Sequence, residues 1–294
     1  MAGDSLSFSV DGQSLAVGFI SPKQSGYVMI YQYTNNEWTQ LGETIQDDSK
    51  NFGFSTSLSN DAVRLVVCAT DYARIYEYDM RLKIWMPLGA DIVFRNSKAV
   101  ISGGGDIVLL ASPYYFDGEK VIGSVAAFRF EESLQTWNQI GDTILGSAAY
   151  DSFGWSTSIS HDGKTFAAGT RRSNYVNVMI YNEELQSWMN VSDGLNKDNE
   201  GGYGSSLSLS RLGDKLIVGS PLYNGIGNQK GKAKVYSLND NAVWEQACDI
   251  ILGETESSVF GDIVEISPNG ESVATLEIND EFGDISVFEL KSIT

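Results

Sequence analysis

The chain has 294 residues and carries 38 Asp and Glu against 20 Lys and Arg, a formal net charge of −18. Phosphate binding needs a surface rich in Lys and Arg, so this balance argues against nucleic acid and anionic membranes as partners. No run of about 18 apolar residues is present, so we expect no membrane insertion. Two cysteines are too few for a disulfide framework.

The first ten residues lack the basic and apolar regions of a signal peptide. As the sequence stands we expect a cytoplasmic protein, or an extracellular one if a signal has been removed.

A unit of about fifty residues recurs along the chain. Its pattern is F-G-x-S-x-S-L-S-x-D-G-x-x-L-A-V-G, then V-x-I-Y-x-Y, then W-x-Q-L-G-x-x-I. Each unit predicts four strands, A to D, of which A alternates Ser with apolar residues and B is almost continuously apolar. The six units cover approximately residues 2–51, 52–94, 95–152, 153–202, 203–259 and 260–294.

In the first unit, strand signals B, C and D lie at Leu15–Gly18, Val28–Tyr33 and Trp38–Ile45. The second unit opens with Phe52-Gly53, whereas the third has Arg95-Asn96 at that place. An Asp-Gly or Asn-Gly pair between strands A and B, typical of tight hairpin turns, occurs in the first, fourth and sixth units.

Three columns of the repeat indicate which positions are buried. The aromatic column holds Tyr31, Tyr76, Phe128, Tyr181, Tyr236 and Phe288. The tryptophan column holds Trp38, Trp85, Trp137, Trp188 and Trp244. The small column holds Gly18, Cys68, Ala111, Gly169 and Gly219, with Leu276 as the exception.

Four antiparallel strands repeated six times predict an all-β fold, a six-bladed β-propeller that forms a single domain over 1–294. A single sheet of this size leaves apolar faces exposed, and packing against neighbouring blades buries them. The sixth unit ends after strand C, so we expect its blade to have three strands. Its last strand, Ile285–Leu290, would be an open edge suited to pairing with a partner or to forming a dimer.

The Phe-Gly start, the L-A-V-G segment and the following G-x-V-x-I-Y strand resemble FG-GAP repeats, the blades of integrin-α-type propellers. The resemblance covers nearly the whole chain and implies a propeller with a binding role. Integrin-type propellers have seven blades and carry D-x-D-x-D-G calcium loops. Here we count six units and find only short turns at those places, so calcium is not expected there.

Candidate chemical groups are few. The single histidine, His161, precedes the Asp162-Gly163 turn, and we interpret it as a turn residue. Cys68 lies in the small column, and a zinc site would need about four Cys or His ligands. We predict no cofactor. The alternative is calcium at N-x-D-x-E-G, where the candidate metal ligands are Asn196, Asp198 and Glu200, although Leu207 stands where a twelfth-position carboxylate is needed.

Binding residues are expected in the B–C and D–A loops, which vary in length and share one end of every blade. Acidic and aromatic side chains are frequent there, which suits a basic or glycan partner. The long B–C loops of units three and five and the shorter one of unit four supply the candidates Tyr114, Tyr115, Phe116, Asp117, Tyr223, Arg171 and Arg172.

Two functions remain open from the sequence. The first is a non-enzymatic scaffold that presents acidic and aromatic loops to a protein or glycan. The alternative is a hydrolase or lyase with its site at the propeller channel mouth. A single histidine and the lack of a recurrent catalytic motif favour the first, and fold alone cannot decide.

Overall fold

The structure is a computed structural model that describes residues 3–20, 25–171, 173–193, 195, 201–224, 230–253, 259–278 and 283–290. Over these residues the backbone forms strands, turns and loops, and none of it is a helix that could cross a bilayer. The strands form six antiparallel sheets that follow one another in chain order. The predicted six-bladed β-propeller, with a last blade of three strands, is confirmed.

Blades 1 to 3 contain the first fourteen strands. Blade 1 consists of β1 (Ser5–Phe8), β2 (Ser14–Phe19), β3 (Gly26–Thr34), β4 (Glu37–Gln40) and β5 (Ile45–Asp47). Blade 2 consists of β6 (Ser55–Leu58), β7 (Arg64–Cys68), β8 (Tyr72–Asp79), β9 (Ile84–Pro87) and β10 (Ile92–Val93). Blade 3 consists of β11 (Lys98–Ile101), β12 (Ile107–Ser112), β13 (Ser124–Glu131) and β14 (Thr136–Leu145).

Blades 4 to 6 contain the other twelve. Blade 4 consists of β15 (Ser156–Ile159), β16 (Thr165–Gly169), β17 (Val176–Asn182) and β18 (Ser187–Asn190). Blade 5 consists of β19 (Ser206–Leu209), β20 (Lys215–Ser220), β21 (Lys232–Leu238), β22 (Trp244–Gln246) and β23 (Ile251–Leu252). Blade 6 consists of β24 (Ile263–Ile266), β25 (Ser272–Ile278) and β26 (Gly283–Glu289).

Strand D is divided in blades 1, 2 and 5, which raises the number of strands above the sequence prediction. In blade 2, Pro87 pairs with Tyr76 and Ile92 pairs with Ala73, so four residues of strand D lie opposite two of strand C. This is a β-bulge, in which extra residues interrupt the ladder and bend the strand. Both halves still pair with strand C, so each of these blades keeps its four-strand order.

Chain contacts divide the molecule into two compact units. The first is Met1–Ser112 with Ala126–Thr143, and the second is Pro113–Val125 with Ile144–Thr294. Blades 1 and 2 lie in the first unit, and blades 4 to 6 lie in the second. The single domain over 1–294 stays a prediction.

The alternate serines of strand A join neighbouring blades. Strand A is the edge of its sheet, so every second amide has no partner within its own blade. In the first unit, the amide of Leu58 donates to Ser7 Oγ at 2.9 Å, and the amide of Ile101 donates to Ser57 Oγ at 3.2 Å. In the second unit, the amide of Leu209 donates to Ser158 Oγ at 3.0 Å. The S-x-S motif of the repeat therefore satisfies the edge amides of the next blade.

The Phe-Gly start and the small column are explained by the same contact between blades. Gly204 follows the buried Tyr203 and has φ of +90°, a conformation that a side chain rarely allows. Its carbonyl accepts a hydrogen bond from Ser156 Oγ at 2.7 Å. The same carbonyl oxygen lies 2.2 Å from the place where a Cβ on Gly169 would be, so this approach requires glycine at position 169.

A serine at the end of strand A closes the A–B turn in every blade. In blade 4, Ser160 Oγ donates to the carboxylate of Asp162 at 2.7 Å and accepts the amide of Thr165 at 3.0 Å. Equivalent serines occupy the other five blades: Ser9, Ser59, Ser102, Ser210 and Ser267. The A–B turns also bond to one another, as where the amide of His161 donates to the carbonyl of Arg211 at 2.9 Å.

The tryptophan column links strand D of one blade to the blade before it. The indole N–H of Trp85 donates to the carbonyl of Leu41 at 3.0 Å, and that of Trp137 donates to the carbonyl of Leu88 at 2.9 Å. Trp244 is buried as deeply, yet its indole N–H has no acceptor among the described residues. Trp244 therefore lacks the hydrogen bond that Trp85 and Trp137 make.

This difference predicts that replacing tryptophan by phenylalanine lowers the free energy of unfolding by different amounts at positions 85 and 244. Trp85→Phe removes a hydrogen bond, whereas Trp244→Phe removes a buried donor without an acceptor. We expect Trp85→Phe to lower the free energy of unfolding by about 1 kcal/mol more than Trp244→Phe. Urea titration of the two variants measures this, and equal losses would contradict the assignment.

Candidate functional site: the loops of blades 3 and 4

The B–C loop of blade 3 is an ordered hairpin. Phe116 pairs with Val121, and the amide of Ile122 donates to the carbonyl of Tyr115 at 2.9 Å. At the tip, the carboxylate of Asp117 accepts the amides of Glu119 and Lys120, and these bonds lower its pKa. Asp117, a predicted binding residue, thus supports the turn of the loop.

Aromatic rings cover this loop and its neighbours, and all of them except the half-buried Trp155 are exposed. Tyr114 is 57% exposed and meets Trp155 edge-on, with ring centroids 6.4 Å apart. The guanidinium of Arg171 lies over the other ring, 4.2 Å from the centroid of Trp155, a cation–π contact. We refer to the following six residues together as the aromatic surface: Tyr114, Tyr115, Phe116, Tyr150, Trp155 and Arg171.

A buried carboxylate holds the loops of this region together. Asp151 has no exposed surface, and its carboxylate accepts the amide of Ala148 at 2.7 Å and the hydroxyl of Tyr175 at 2.8 Å. The hydroxyls of Ser147 and Ser173 donate to the same carboxylate. We refer to this arrangement as the Asp151 clamp. It fixes the loop before strand A of blade 4 against the B–C loop of the same blade.

A cavity of about 520 Å³ lies next to the Asp151 clamp. Val176 and Leu195 are its apolar lining residues. Its polar lining consists of Ser147, Tyr175, Asn177, Asn190, Ser192 and Asp193. Ligand cavities in proteins are typically between about 300 and 1,000 Å³, so the volume suits a small organic molecule.

The other predicted residues lie apart from this region or beyond the description. Tyr223 belongs to blade 5, where the ammonium of the buried Lys232 lies 3.6 Å from its ring centroid. Arg172 and the candidate metal ligands Asn196, Asp198 and Glu200 fall outside the described residues. Across the part of the chain that is described, no three His, Cys, Asp or Glu side chains are grouped to hold a metal ion.

The single histidine and the first cysteine have structural surroundings. His161 lies on an A–B turn, with its Nε2 3.1 Å from the guanidinium of Arg211. Burial raises the pKa of the Cys68 thiol to about 12, so the reactive thiolate is scarce. Neither residue belongs to the aromatic surface or to the cavity.

Sequence reasoning missed Trp155 and the cavity. Trp155 lies outside the tryptophan column, two residues after the Phe153 that opens the unit. This departure from the repeat is the one sequence feature that could have identified it. The cavity has no such signal, because its lining comes from three separated segments of the chain.

Comparison with known proteins gives the fold. No family model matches the chain, and no curated protein matches it either. Among solved structures, a candidate 6-phosphogluconolactonase of Bacteroides uniformis has a TM-score of 0.62 at 11% identity, over 99% of this chain and 86% of that one. The periplasmic gluconolactonase PpgL of Pseudomonas aeruginosa gives 0.59 at 15%, over 98% and 85%. TolB of Acinetobacter baumannii gives 0.54 at 15%, over 95% and 61%.

These likenesses define the chain as a β-propeller protein. The similar structures are propellers of the lactonase and TolB kinds and are not integrin-type propellers. At such identities the similarity is one of fold alone, and function has to be argued from the residues of this chain.

The Asp151 clamp predicts a loss of stability at alkaline pH. Burial is the main cause that raises the pKa of Tyr175 to about 12, from an ordinary value of 10.0. Because the folded protein favours the neutral phenol, the contribution of Tyr175 to stability is complete below pH 10. It falls as the pH rises toward about 12.

We expect the free energy of unfolding to decline over that interval, with a shallower decline in Tyr175→Phe. Urea titrations across the interval, followed by circular dichroism, measure both slopes. Tyr72, whose pKa is also raised to about 12 by burial, contributes to the remaining slope. Identical slopes in the two proteins would contradict the role given to Tyr175.

Proposed function

We propose that the protein is a non-enzymatic binding module that takes a glycan on the aromatic surface. The observation that carries the proposal is Trp155, whose ring meets the edge of Tyr114 and lies under the guanidinium of Arg171. Because Arg171 covers one face of Trp155, Trp155 supports the site. The exposed rings of Tyr114, Tyr115 and Phe116 offer apolar faces to the C–H groups of a sugar ring. The guanidinium has N–H donors suited to a carboxylate or sulfate on the same glycan.

A protein partner is the second candidate for the same surface. Tyr, Trp and Arg are the residues most enriched among those that dominate protein–protein binding energies. Tyr150 is 64% exposed and Phe116 is 57% exposed, so a protein could bury both. The glycan is preferred because the polar cavity lies next to the Asp151 clamp, within the same group of loops.

Substitution of the aromatic surface tests this function. We expect a glycan array to identify a ligand, and Trp155→Ala to weaken its binding by about tenfold or more. Arg171→Gln should weaken binding only for glycans that carry an acidic group. Trp38→Ala, which removes a partly exposed tryptophan from blade 1, is the matched control and should bind normally.

An unchanged affinity in Trp155→Ala would contradict the proposed surface. Absence of glycan binding, together with capture of a protein that Trp155→Ala fails to capture, would favour the protein partner.

A hydrolase or lyase remains the alternative function, and its test is turnover. Hydrolysis of a sugar lactone by the purified protein, retained in Trp155→Ala, would favour the enzyme. Membership of the FG-GAP repeats likewise remains a proposal, supported by the Phe-Gly and S-x-S positions that join the blades.

Blade 6 supports a second, independent proposal of self-association. Among the described residues β26 is the outer strand of a three-stranded sheet, and Ile285 and Val287, which share one face of it, are 74% and 68% exposed. An antiparallel pair of two such strands, centred on Ser286, would place Ile285 opposite Val287 in a second copy. We propose that this strand pairs with its equivalent in a symmetric dimer.

Light scattering after size-exclusion chromatography tests the dimer. We expect a dimer for the unmodified protein and a monomer for Ile285→Lys with Val287→Lys, because lysine on an edge strand opposes pairing. Val93→Lys is the matched control, since Val93 is 78% exposed on β10 of a complete blade. A monomer at every concentration of the unmodified protein would overturn the proposal.

A further inference from the structure

The cavity beside blade 4 is lined by two kinds of polar group: those that bond to the protein, and those without a hydrogen bond among the described residues. Tyr175 donates its hydroxyl to Asp151 and accepts the amide of Ser147 at 3.1 Å. Ser192 Oγ accepts the amide of Val178 at 2.9 Å and donates to Asn190 Oδ1 at 2.6 Å. These hydroxyls form the fixed wall of the cavity, because each already has a protein partner.

Three other lining groups are unoccupied. Over the described residues, no hydrogen bond is made by the side-chain amide of Asn177, the Nδ2 of Asn190 or the carboxylate of Asp193. Together they offer amide donors, an amide acceptor and a charged acceptor within one cavity. Asn177 is half-buried, whereas Asn190 and Asp193 are exposed, so these groups meet solvent at the cavity and are free to bond a ligand there.

The charge of the lining limits the class of ligand. Among the described lining residues only Asp193 is charged, so a phosphate or carboxylate would meet a carboxylate with no cation from those residues to balance it. An apolar ligand would leave the amides and the carboxylate without partners. A polyhydroxylated neutral ligand satisfies all three groups, because each hydroxyl both donates and accepts.

We infer that this cavity is a binding site for one or two neutral sugar rings, held by Asn177, Asn190 and Asp193. The inference rests on the proposed function, since it names the part of the glycan that lies beside the Asp151 clamp. It adds a specificity that the aromatic surface does not supply. The cavity selects an uncharged sugar, while Arg171 on the aromatic surface suits an acidic one.

Nuclear magnetic resonance with free monosaccharides tests the cavity without the aromatic surface. The probes are glucose, galactose, mannose and N-acetylglucosamine, with glucose 6-phosphate as the charged comparison. We expect at least one neutral sugar to shift the backbone amides of Asn177 and Ser192, and glucose 6-phosphate to bind at least tenfold more weakly. Asn177→Ala and Asp193→Asn should each weaken the neutral sugar by about tenfold.

The controls separate this inference from the proposed function. Asp240→Asn changes an exposed acid on a turn of blade 5 and should leave sugar binding unchanged. Trp155→Ala should leave the monosaccharide shifts intact while it weakens the whole glycan. Shifts that are absent for every neutral sugar, or unchanged in Asn177→Ala and Asp193→Asn, overturn the cavity site. Normal glycan binding by Trp155→Ala, with the cavity shifts preserved, overturns the aromatic surface instead.

Discussion

The hydrogen bond from a strand A amide to a serine hydroxyl of the preceding blade is the contact on which this propeller depends. An edge strand whose outer amides lack partners is unstable and open to incorrect pairing. Ser7, Ser57 and Ser158 each provide the acceptor that the next blade needs. Apolar packing between blades also buries surface, but the hydrophobic effect is non-directional. The directional hydrogen bonds from amides to serine hydroxyls set the register of strand A in one blade against strand A in the preceding blade.

Most of the fold could be predicted from the sequence because its determinants are local and repeated. The alternation in Ser55–Leu58 and the apolar run in Lys215–Ser220 each identify a strand without reference to the rest of the chain. The bulge in strand D could not be foreseen, because it depends on how residues 88–91 meet strand C and leaves no change in the repeat. The serine that closes each A–B turn is as regular as the aromatic column, and its role appeared only with the hydrogen bonds.

The candidate site was only partly predictable, because it departs from the repeat. The long loop predicts Tyr114, Tyr115 and Phe116 as binding residues, but nothing in the sequence indicates that Trp155 would contact both Tyr114 and Arg171. Contacts between residues far apart in sequence require the register of two blades and the path of three loops. Asp151 has no feature in the sequence that separates it from other acidic loop residues, and its complete burial marks it as the centre of a hydrogen-bond network.

The Asp151 clamp separates the residues that support the backbone of these loops from those proposed to bind a ligand. One carboxylate fixes the backbone by bonds to the amide of Ala148 and to the hydroxyls of Ser147, Ser173 and Tyr175, whereas the binding residues proposed above lie around it. Outward side chains can then be exchanged without disturbing the support beneath them. Related or engineered versions of the chain could acquire new recognition properties by variation at the rim alone, provided that the acid at position 151 and its donors are retained.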